Sequence, residues 1–267
     1  MKAIVLVLGS GGARGLCYIG VLKALEEFHI PIRRIVGTSM GAIIGAAYCT
    51  GMTLEEIEKR ITKFHILKVL RYSPRSTALF SNKQLVHFIE KLVPQKSFES
   101  LSIPLSVICT DLEQGTSLVY ESGALIPPVT GSAIIAGVFD PIEYDGHYLI
   151  DGGYLNPLPL DIADKHGKKI IAIDPSLPTG YSIRKYLQHG WKNMLNPRNL
   201  LQQALKGSDM TYAMLAKVQW TNFDHIRINV GFIDMSFIDF SNYRYAINLG
   251  YEETIKRIPE IEQYLLT

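Results

Sequence analysis

The sequence predicts a three-layer α/β/α fold in which helices cover both faces of a central, mostly parallel sheet. Short apolar runs alternate along the chain with segments of helical periodicity, and this alternation is typical of parallel sheets. The hydrophobic content, 47% of 267 residues, is enough to bury the core of one α/β domain. We therefore expect a single domain over residues 1–267.

The predicted strands are short runs of mainly aliphatic residues. They lie at Ala3–Leu8, Arg34–Gly37, Leu105–Thr110, Tyr148–Asp151, Lys169–Asp174 and Ile226–Val230. Long helical patterns follow around Leu200–Val218 and Tyr243–Leu265. These last helices either complete the outer layers or form a contact between subunits.

The first predicted strand runs into a glycine-rich loop, residues 9–15, and then into a helical pattern. The amides of such a loop either cradle a dinucleotide pyrophosphate or form the oxyanion hole of an acyl-transfer enzyme. The dinucleotide pattern G-x-G-x-x-G fails because Arg14 takes the place of its third glycine. We therefore favour the oxyanion hole, with tight packing of the first helix on the sheet as the alternative role of the loop.

A serine lies between the second predicted strand and the next helix, in Gly37-Thr38-Ser39-Met40-Gly41. This is the layout of a nucleophile elbow, in which a sharp turn exposes the serine at the start of a helix. Glycines on both sides permit the turn, and the first amides of the helix favour negative charge. Ser39 is the candidate nucleophile, and an ordinary turn before a buried helix is the alternative.

The helices that follow the elbow have recognisable packing and end signals. The first is apolar on nearly all sides and rich in small residues, which predicts a buried central helix. Thr53 and Glu56 form a capping box for the next helix, and either Ser81 or Asn82 caps the one after it.

A carboxylate ends the fourth predicted strand. Asp145-Gly146 suits a hairpin turn, and Asp151 follows the next short apolar run beside Gly152 and Gly153. A carboxylate within hydrogen-bond reach of a serine hydroxyl can act directly as its base when the surroundings are dry. Asp151 is therefore the candidate base, and no histidine relay is required.

The glycine loop with Arg14, the Gly37–Gly41 elbow and the Asp151-Gly152-Gly153 triplet occur in this order, and together they resemble the patatin-like phospholipase family. Further similarity to its small bacterial members lies at Gly20–Glu26, at Thr110–Leu112 with Gly115, and at Asn156–Pro159. The resemblance is greatest over residues 3–174, and residues 181–267 are expected to complete the patatin-like fold. Ser10 stands where a third glycine is common, and Ala136 where many relatives have proline. Asp111 also resembles a family residue, and we expect it to stabilise a turn.

The resemblance implies a lipid acyl ester hydrolase of the phospholipase A or lysophospholipase/esterase type. Ser39 would attack the ester and Asp151 would act as base in a catalytic dyad. The amides of Gly11 and Gly12 would form the oxyanion hole. Arg14 would either brace the loop through a structural contact or favour an anionic headgroup. The supporting positions are Gly9, Ser10, Arg14 and Gly15 in the loop, and Gly37 and Gly41 in the elbow.

Alternative functions for this sequence involve either a different catalytic mechanism or a different role for the same fold. A Ser-His-Asp triad would draw on His147, His166 or His225, but in α/β-hydrolases the elbow usually follows several strands and the histidine comes last. We expect His147 in a surface hairpin and His225 at a strand edge. A regulatory or adaptor protein with weak hydrolysis, and a thioesterase or protein deacylase, remain alternatives.

Charge and cysteine content restrict the partners and the compartment. A net charge of +2 without blocks of like charge gives no case for nucleic acid, and nothing in the sequence calls for a metal or cofactor. Cys17, Cys49 and Cys109 lie in apolar stretches, which predicts reduced core thiols in a cytoplasmic protein. The apolar N-terminal run is too short for a signal peptide, and no run is long enough to cross a membrane.

Two segments mix aliphatic and basic residues and are candidates for a lid or for peripheral contact with an anionic membrane. They are residues 66–75, with Lys68 and Arg71, and residues 181–194, with Arg184 and Lys185. Plain surface helices would explain both segments about as well. The predicted partners are therefore a lipid or other acyl ester and a membrane surface, and an oligomer is compatible with the sequence.

Overall fold

The computed structural model describes residues 2–62, 78–175, 197–221, 223–232, 235, 237 and 239–266, with backbone only for residues 197–205. Both candidate lid or membrane segments, residues 66–75 and 181–194, lie outside these ranges. Within them, the chain forms one mixed sheet between helices.

The sheet follows the order β5-β6-β3-β2-β1-β7-β8, and β4 pairs with β3 outside this order. Strands β3, β2, β1, β7 and β8 are neighbours in this order and run parallel to one another. Strands β4 and β6 run antiparallel to β3, and β5 runs antiparallel to β6. The predicted α/β fold with a mostly parallel sheet is confirmed. The strand bounds are β1 Ile4–Leu8, β2 Ile32–Thr38, β3 Leu105–Asp111, β4 Ser117–Tyr120, β5 Ile142–Tyr144, β6 His147–Asp151, β7 Ile170–Asp174 and β8 Ile226–Asn229.

The helices occupy the segments between these strands and the C-terminal region, and none among the described residues is both long and apolar enough to cross a membrane. Their bounds are α1 Cys17–Glu27, α2 Met40–Cys49, α3 Leu54–Ile61, α4 Lys83–Leu92, α5 Ile126–Gly131, α6 Leu160–His166, α7 Pro197–Gln219, α8 Tyr243–Ile255 and α9 Ile258–Leu266. Short 3-10 helices follow β1 at Gly12–Leu16 and β6 at Gly152–Tyr154.

Strand β1 shows why helices cover both faces of the sheet. Successive side chains of a strand point to opposite faces, and all five residues of β1 are buried. Leu6 and Leu8 pack into the cluster that contains α1 and α2, whereas Val5 and Val7 pack against α6 and α7. Since full burial of one such side chain contributes about 2 kcal/mol, both faces favour a helical layer.

Helix α2 is the predicted buried central helix, because nearly all of its residues are buried. A Cβ at Gly41 would overlap the carbonyl oxygen of Leu8, so α2 approaches the backbone of β1 more closely than any side chain would allow. Cys17, Cys49 and Cys109 are buried and free, as expected for core thiols.

The predicted helix caps are present in part. Thr53 accepts a hydrogen bond from the Glu56 amide at the start of α3. Asn82 occupies the N-cap position of α4, but its side chain makes no capping hydrogen bond, whereas the Ser81 hydroxyl accepts from the Lys83 amide at 3.4 Å. The side-chain amide of Asn82 instead donates to the carbonyls of Asp140 and Pro141, since tertiary contacts compete for the same polar group.

The C-terminal helical patterns form three helices in the structure. The pattern around residues 200–218 lies within α7, and the pattern over 243–265 divides into α8 and α9. Helix α8 packs directly on α1, because Cβ atoms at Gly20 and Gly250 would overlap the Ile247 and Cys17 carbonyls. Helix α8 is therefore part of an outer layer of this chain.

Candidate active site

The sheet brings the glycine loop, the elbow and Asp151 to one place. Strands β1 and β2 are parallel neighbours in which Leu8 pairs with Gly37, so the segments after these strands emerge side by side. Strand β3 lies on the other side of β2, and its Cys109 pairs with Asp151 at the end of β6. Three motifs that are far apart in sequence thus become adjacent.

Ser39 occupies a tight turn between β2 and α2. Its backbone angles, φ 57° and ψ −122°, are in a region that side-chain-bearing residues rarely adopt and that functional turns often require. The flanking glycines leave no room for side chains, since a Cβ at Gly37 would lie 2.7 Å from the Ala42 backbone. The Ser39 hydroxyl donates a hydrogen bond of 2.7 Å to Oδ2 of Asp151.

Asp151 is 1% exposed and uses both carboxylate oxygens. Oδ2 accepts from Ser39, and Oδ1 accepts from the Gly153 amide at 2.7 Å. Burial raises the pKa of Asp151 to about 7, although the hydrogen bonds from Gly153 and Ser39 act in the opposite direction. A carboxylate with this pKa can gain or lose a proton near neutral pH.

The three histidines considered for a triad are bound elsewhere. His147 contacts Asp111 with 2.6 Å between Nδ1 and Oδ2, and Asp111 also accepts from the Glu113 and Gln114 amides. His166 contacts Glu121, and His225 stacks on Trp220. Asp111 therefore stabilises a turn, as predicted, and none of these histidines bonds to Ser39 or Asp151.

The glycine loop presents two free amides. Within the described residues, the amides of Gly11 and Gly12 donate no hydrogen bond, whereas the Ser10 and Ala13 amides donate to the carbonyls of Pro157 and Phe237. Gly12 has φ +52°, a left-handed conformation that favours glycine. Two unused donors at a turn anchored on both sides are suited to bind a developing negative charge.

Arg14 anchors this loop through buried side-chain contacts. Its side chain is 1% exposed, pairs with Asp209 of α7 and lies over the Phe237 ring, with 5.9 Å between the guanidinium carbon and the ring centroid. Tyr18 adds a hydrogen bond of 2.5 Å to the Gly9 carbonyl. These buried contacts favour the bracing role of Arg14 over attraction of a headgroup.

Several residues that adjoin the site were not predicted. The Ser39 amide donates to Ser132, Asp209 pairs with Arg14, and Tyr212 of α7 has ring atoms 3.0 Å from where a Gly153 Cβ would lie. Asp209 and Tyr212 lie in the predicted helical pattern around Leu200–Val218, and Ser132 lies four positions before Ala136, but no sequence signal pointed to these three residues themselves. In the part of the chain that the structure describes, no group of three or more His, Cys, Asp or Glu residues could hold a metal ion.

We predict that the raised pKa of Asp151 makes folding stability pH-dependent. The folded carboxyl binds its proton more tightly than the unfolded one, whose pKa is about 3.9, so this stabilisation is full below that value and is lost as pH rises through 7. Asp151→Asn has no such titration. Between pH 5 and pH 8, wild type should lose about 2–3 kcal/mol of unfolding free energy relative to Asp151→Asn.

Urea unfolding of both proteins at the two pH values measures this difference, because the other titrating groups contribute equally to both. Equal losses in the two proteins would show that Asp151 titrates normally.

The mostly parallel sheet between helices, with an elbow serine bonded directly to a buried carboxylate, makes this an α/β protein with a candidate nucleophile site. A sequence model described as "Patatin-like phospholipase" matches residues 6–164. The chain belongs to the patatin-like phospholipase family.

Two curated relatives and one solved structure illustrate the similarity. Patatin-like phospholipase domain-containing protein 6 of Mus musculus is 38% identical over 182 residues, which are 65% of this chain and 13% of the relative. Neuropathy target esterase sws of Drosophila melanogaster is 36% identical over 221 residues, 78% of this chain and 15% of the relative. This chain therefore spans only a small part of the length of these two relatives.

The crystal structure of VipD from Legionella pneumophila matches with a TM-score of 0.63 and 16% identity, covering 98% of this chain and 67% of that one. At this identity the similarity supports the fold.

Proposed function

We propose that the protein is a serine acyl hydrolase that cleaves carboxylic esters of lipids, as a phospholipase A or a lysophospholipase/esterase. The observation that carries this proposal is the buried hydrogen bond of 2.7 Å between the Ser39 hydroxyl at the elbow and the Asp151 carboxylate. Membership of the patatin-like phospholipase family supports a lipid ester as substrate. The phospholipase and esterase names of two relatives agree with it.

In the first half of the proposed reaction, Asp151 accepts the hydroxyl proton as Ser39 Oγ attacks the ester carbonyl carbon. The amides of Gly11 and Gly12 stabilise the tetrahedral oxyanion. The bond to the alcohol oxygen then breaks, and the leaving alcohol takes the proton from Asp151. The product of this step is an ester between the acyl group and Ser39.

In the second half, a water molecule gives its proton to Asp151 and attacks the acyl carbon. The same loop amides stabilise the second oxyanion. The bond to Ser39 Oγ breaks, Oγ takes the proton back, and the carboxylic acid leaves. Since burial raises the pKa of Asp151 to about 7, a large fraction of it is ionised at neutral pH, and it is a stronger base than an ordinary carboxylate.

Covalent labelling tests whether Ser39 is an activated nucleophile. A fluorescent fluorophosphonate should phosphonylate wild type once, with loss of fluoride, and should not label Ser39→Ala. Ser106→Ala is the matched control, because Ser106 is also buried but its hydroxyl bonds to Glu121 rather than to the site. Gel fluorescence and intact mass measure the result.

If wild type takes the label, unlabelled wild type would then be compared on a phospholipid, a lysophospholipid and an acyl thioester, which separates a lipase from a thioesterase. If folded wild type takes no label, or if Ser39→Ala is labelled as well, the proposed nucleophile is wrong.

A further inference from the structure

The backbone amide of Ser39 is held by the hydroxyl of Ser132. The amide donates to Ser132 Oγ at 2.8 Å, and this hydroxyl donates to the Ile108 carbonyl at 2.5 Å. The direction of both bonds is fixed, because a carbonyl only accepts and an amide only donates. Ser132 has no solvent exposure, and Ser39 is 4% exposed.

The segment that carries Ser132 also reaches the other half of the dyad. The Asp151 amide donates to the Ile134 carbonyl at 2.8 Å, and Ile134 is fully buried. The Ala133 and Ile134 amides bond back to the end of α5, at Thr130 and Gly131. One short turn, residues 132–134, therefore contacts the backbones of both Ser39 and Asp151.

The anchor of Ser132 lies close to the same carboxylate. Ile108 belongs to β3, whose next residue, Cys109, pairs with Asp151. A Cβ at Gly152 would overlap the Ile108 carbonyl, so this carbonyl is packed directly against the residue after Asp151. Ser132 thus connects the strained turn at Ser39 to the strand pair that holds the base.

We propose that Ser132 is a positioning residue for the hydrolytic reaction. Its hydroxyl holds the turn at Ser39 in the conformation that aims Oγ at Asp151, and the Ile134 carbonyl fixes Asp151 from the same segment. This inference rests on the proposed function, since it assigns Ser132 to the chemistry of Ser39. It also commits the Ser39 amide to Ser132, so this amide is not available to an oxyanion.

Ser132→Ala removes the acceptor of the Ser39 amide and the donor to Ile108, and both groups stay buried. The turn at Ser39 then lacks its hydrogen-bonded support, and Oγ is displaced from its line to the carboxylate. Displacement of a reacting atom by about 1 Å can cost about 100-fold in rate, so we expect kcat to fall by about that factor. Ser132 has no solvent exposure and cannot contact a substrate directly, so KM should stay close to the wild-type value.

The experiment measures kcat, KM and the pH profile of ester hydrolysis for wild type, Ser132→Ala, Ser132→Thr and Ser106→Ala. Ser132→Thr restores a hydroxyl and should recover most of the lost kcat. The pH midpoint of Ser132→Ala should rise above that of wild type, because displacement of Oγ weakens the Ser39 hydrogen bond that lowers the pKa of Asp151. Ser106→Ala also deletes a fully buried hydroxyl, bonded to Arg34 and Glu121, and should keep its kcat.

Labelling of wild type at Ser39 tests the nucleophile separately from the role of Ser132. If wild type is labelled at Ser39, a wild-type kcat for unlabelled Ser132→Ala, or an equal loss of kcat in Ser106→Ala, overturns the positioning role alone. If Ser132→Thr does not fold, the phosphonylation rate of Ser39 in Ser132→Ala, compared with that in wild type, tests the positioning role instead. A rate in Ser132→Ala equal to that of wild type overturns the proposal, and a rate reduced in proportion to kcat supports it.

Discussion

Asp151→Asn is expected to reduce kcat for ester hydrolysis on the order of 1000-fold while the protein stays folded. Asparagine has nearly the same shape, so its amide can still accept from Gly153 and stay beside Ser39. It cannot accept the proton of the Ser39 hydroxyl, and the described contacts place no histidine there to replace it. Steady-state kinetics at pH 8, with unfolding measured in parallel, give the two quantities to compare.

Asp111→Asn is the matched control for this substitution. Asp111 is also 1% exposed and also accepts hydrogen bonds from backbone amides, but its partner is His147 and not Ser39. The control should lose stability and keep a kcat close to that of wild type. If Asp151→Asn also hydrolyses esters at nearly the wild-type rate, Asp151 is not the base.

The sequence predicted those parts of the site that depend on local patterns. The glycine loop, the Ser39 elbow and the Asp151-Gly152-Gly153 triplet each contain glycine and lie at the end of an apolar strand. Residues adjacent in sequence are therefore enough to identify them. The turn at Asp145-Gly146 was also predicted, and both residues have positive φ between β5 and β6. Parallel pairing of β1 with β2 then explains why the loop and Ser39 are adjacent.

The missed strands were short and only partly buried. Strand β4 has four residues that alternate between exposed and half-buried, and β5 has three residues. Such lengths contain at most two periods of a strand pattern, which is too little to separate them from a loop. Their pairing with β3 and β6 exists only once the sheet has formed.

The contacts that hold the site could not be predicted because they join distant segments. Ser39 and Ser132 are 93 positions apart, and Arg14 and Asp209 are 195 apart. Nothing in the residues near Asp209 distinguishes it from other carboxylates on an amphipathic helix. Closeness in sequence can also mislead. His147 is only four residues before Asp151, but its side chain pairs with Asp111 instead.

Gly12→Ala should reduce kcat at least about 100-fold, the effect of losing an oxyanion donor in other hydrolases. A Cβ at Gly12 would overlap the Phe237 carbonyl oxygen, and φ +52° already disfavours alanine. The loop must then move away from Phe237, and the free amides of Gly11 and Gly12 move with it. Since these amides act on the transition state, kcat should fall much more than KM rises, which steady-state kinetics measure.

Gly115→Ala separates the loss of the amides from backbone strain. Gly115 has a similar conformation, φ +62°, but a Cβ there would meet nothing within 4 Å. It should cost about 1 kcal/mol of stability, as a left-handed alanine does, without changing kcat. If Gly12→Ala behaves like Gly115→Ala, with reduced stability and full activity, the oxyanion is bound elsewhere. A selective loss of kcat in Gly12→Ala would instead tie catalysis to the position of these amides, because strain alone is common to both variants.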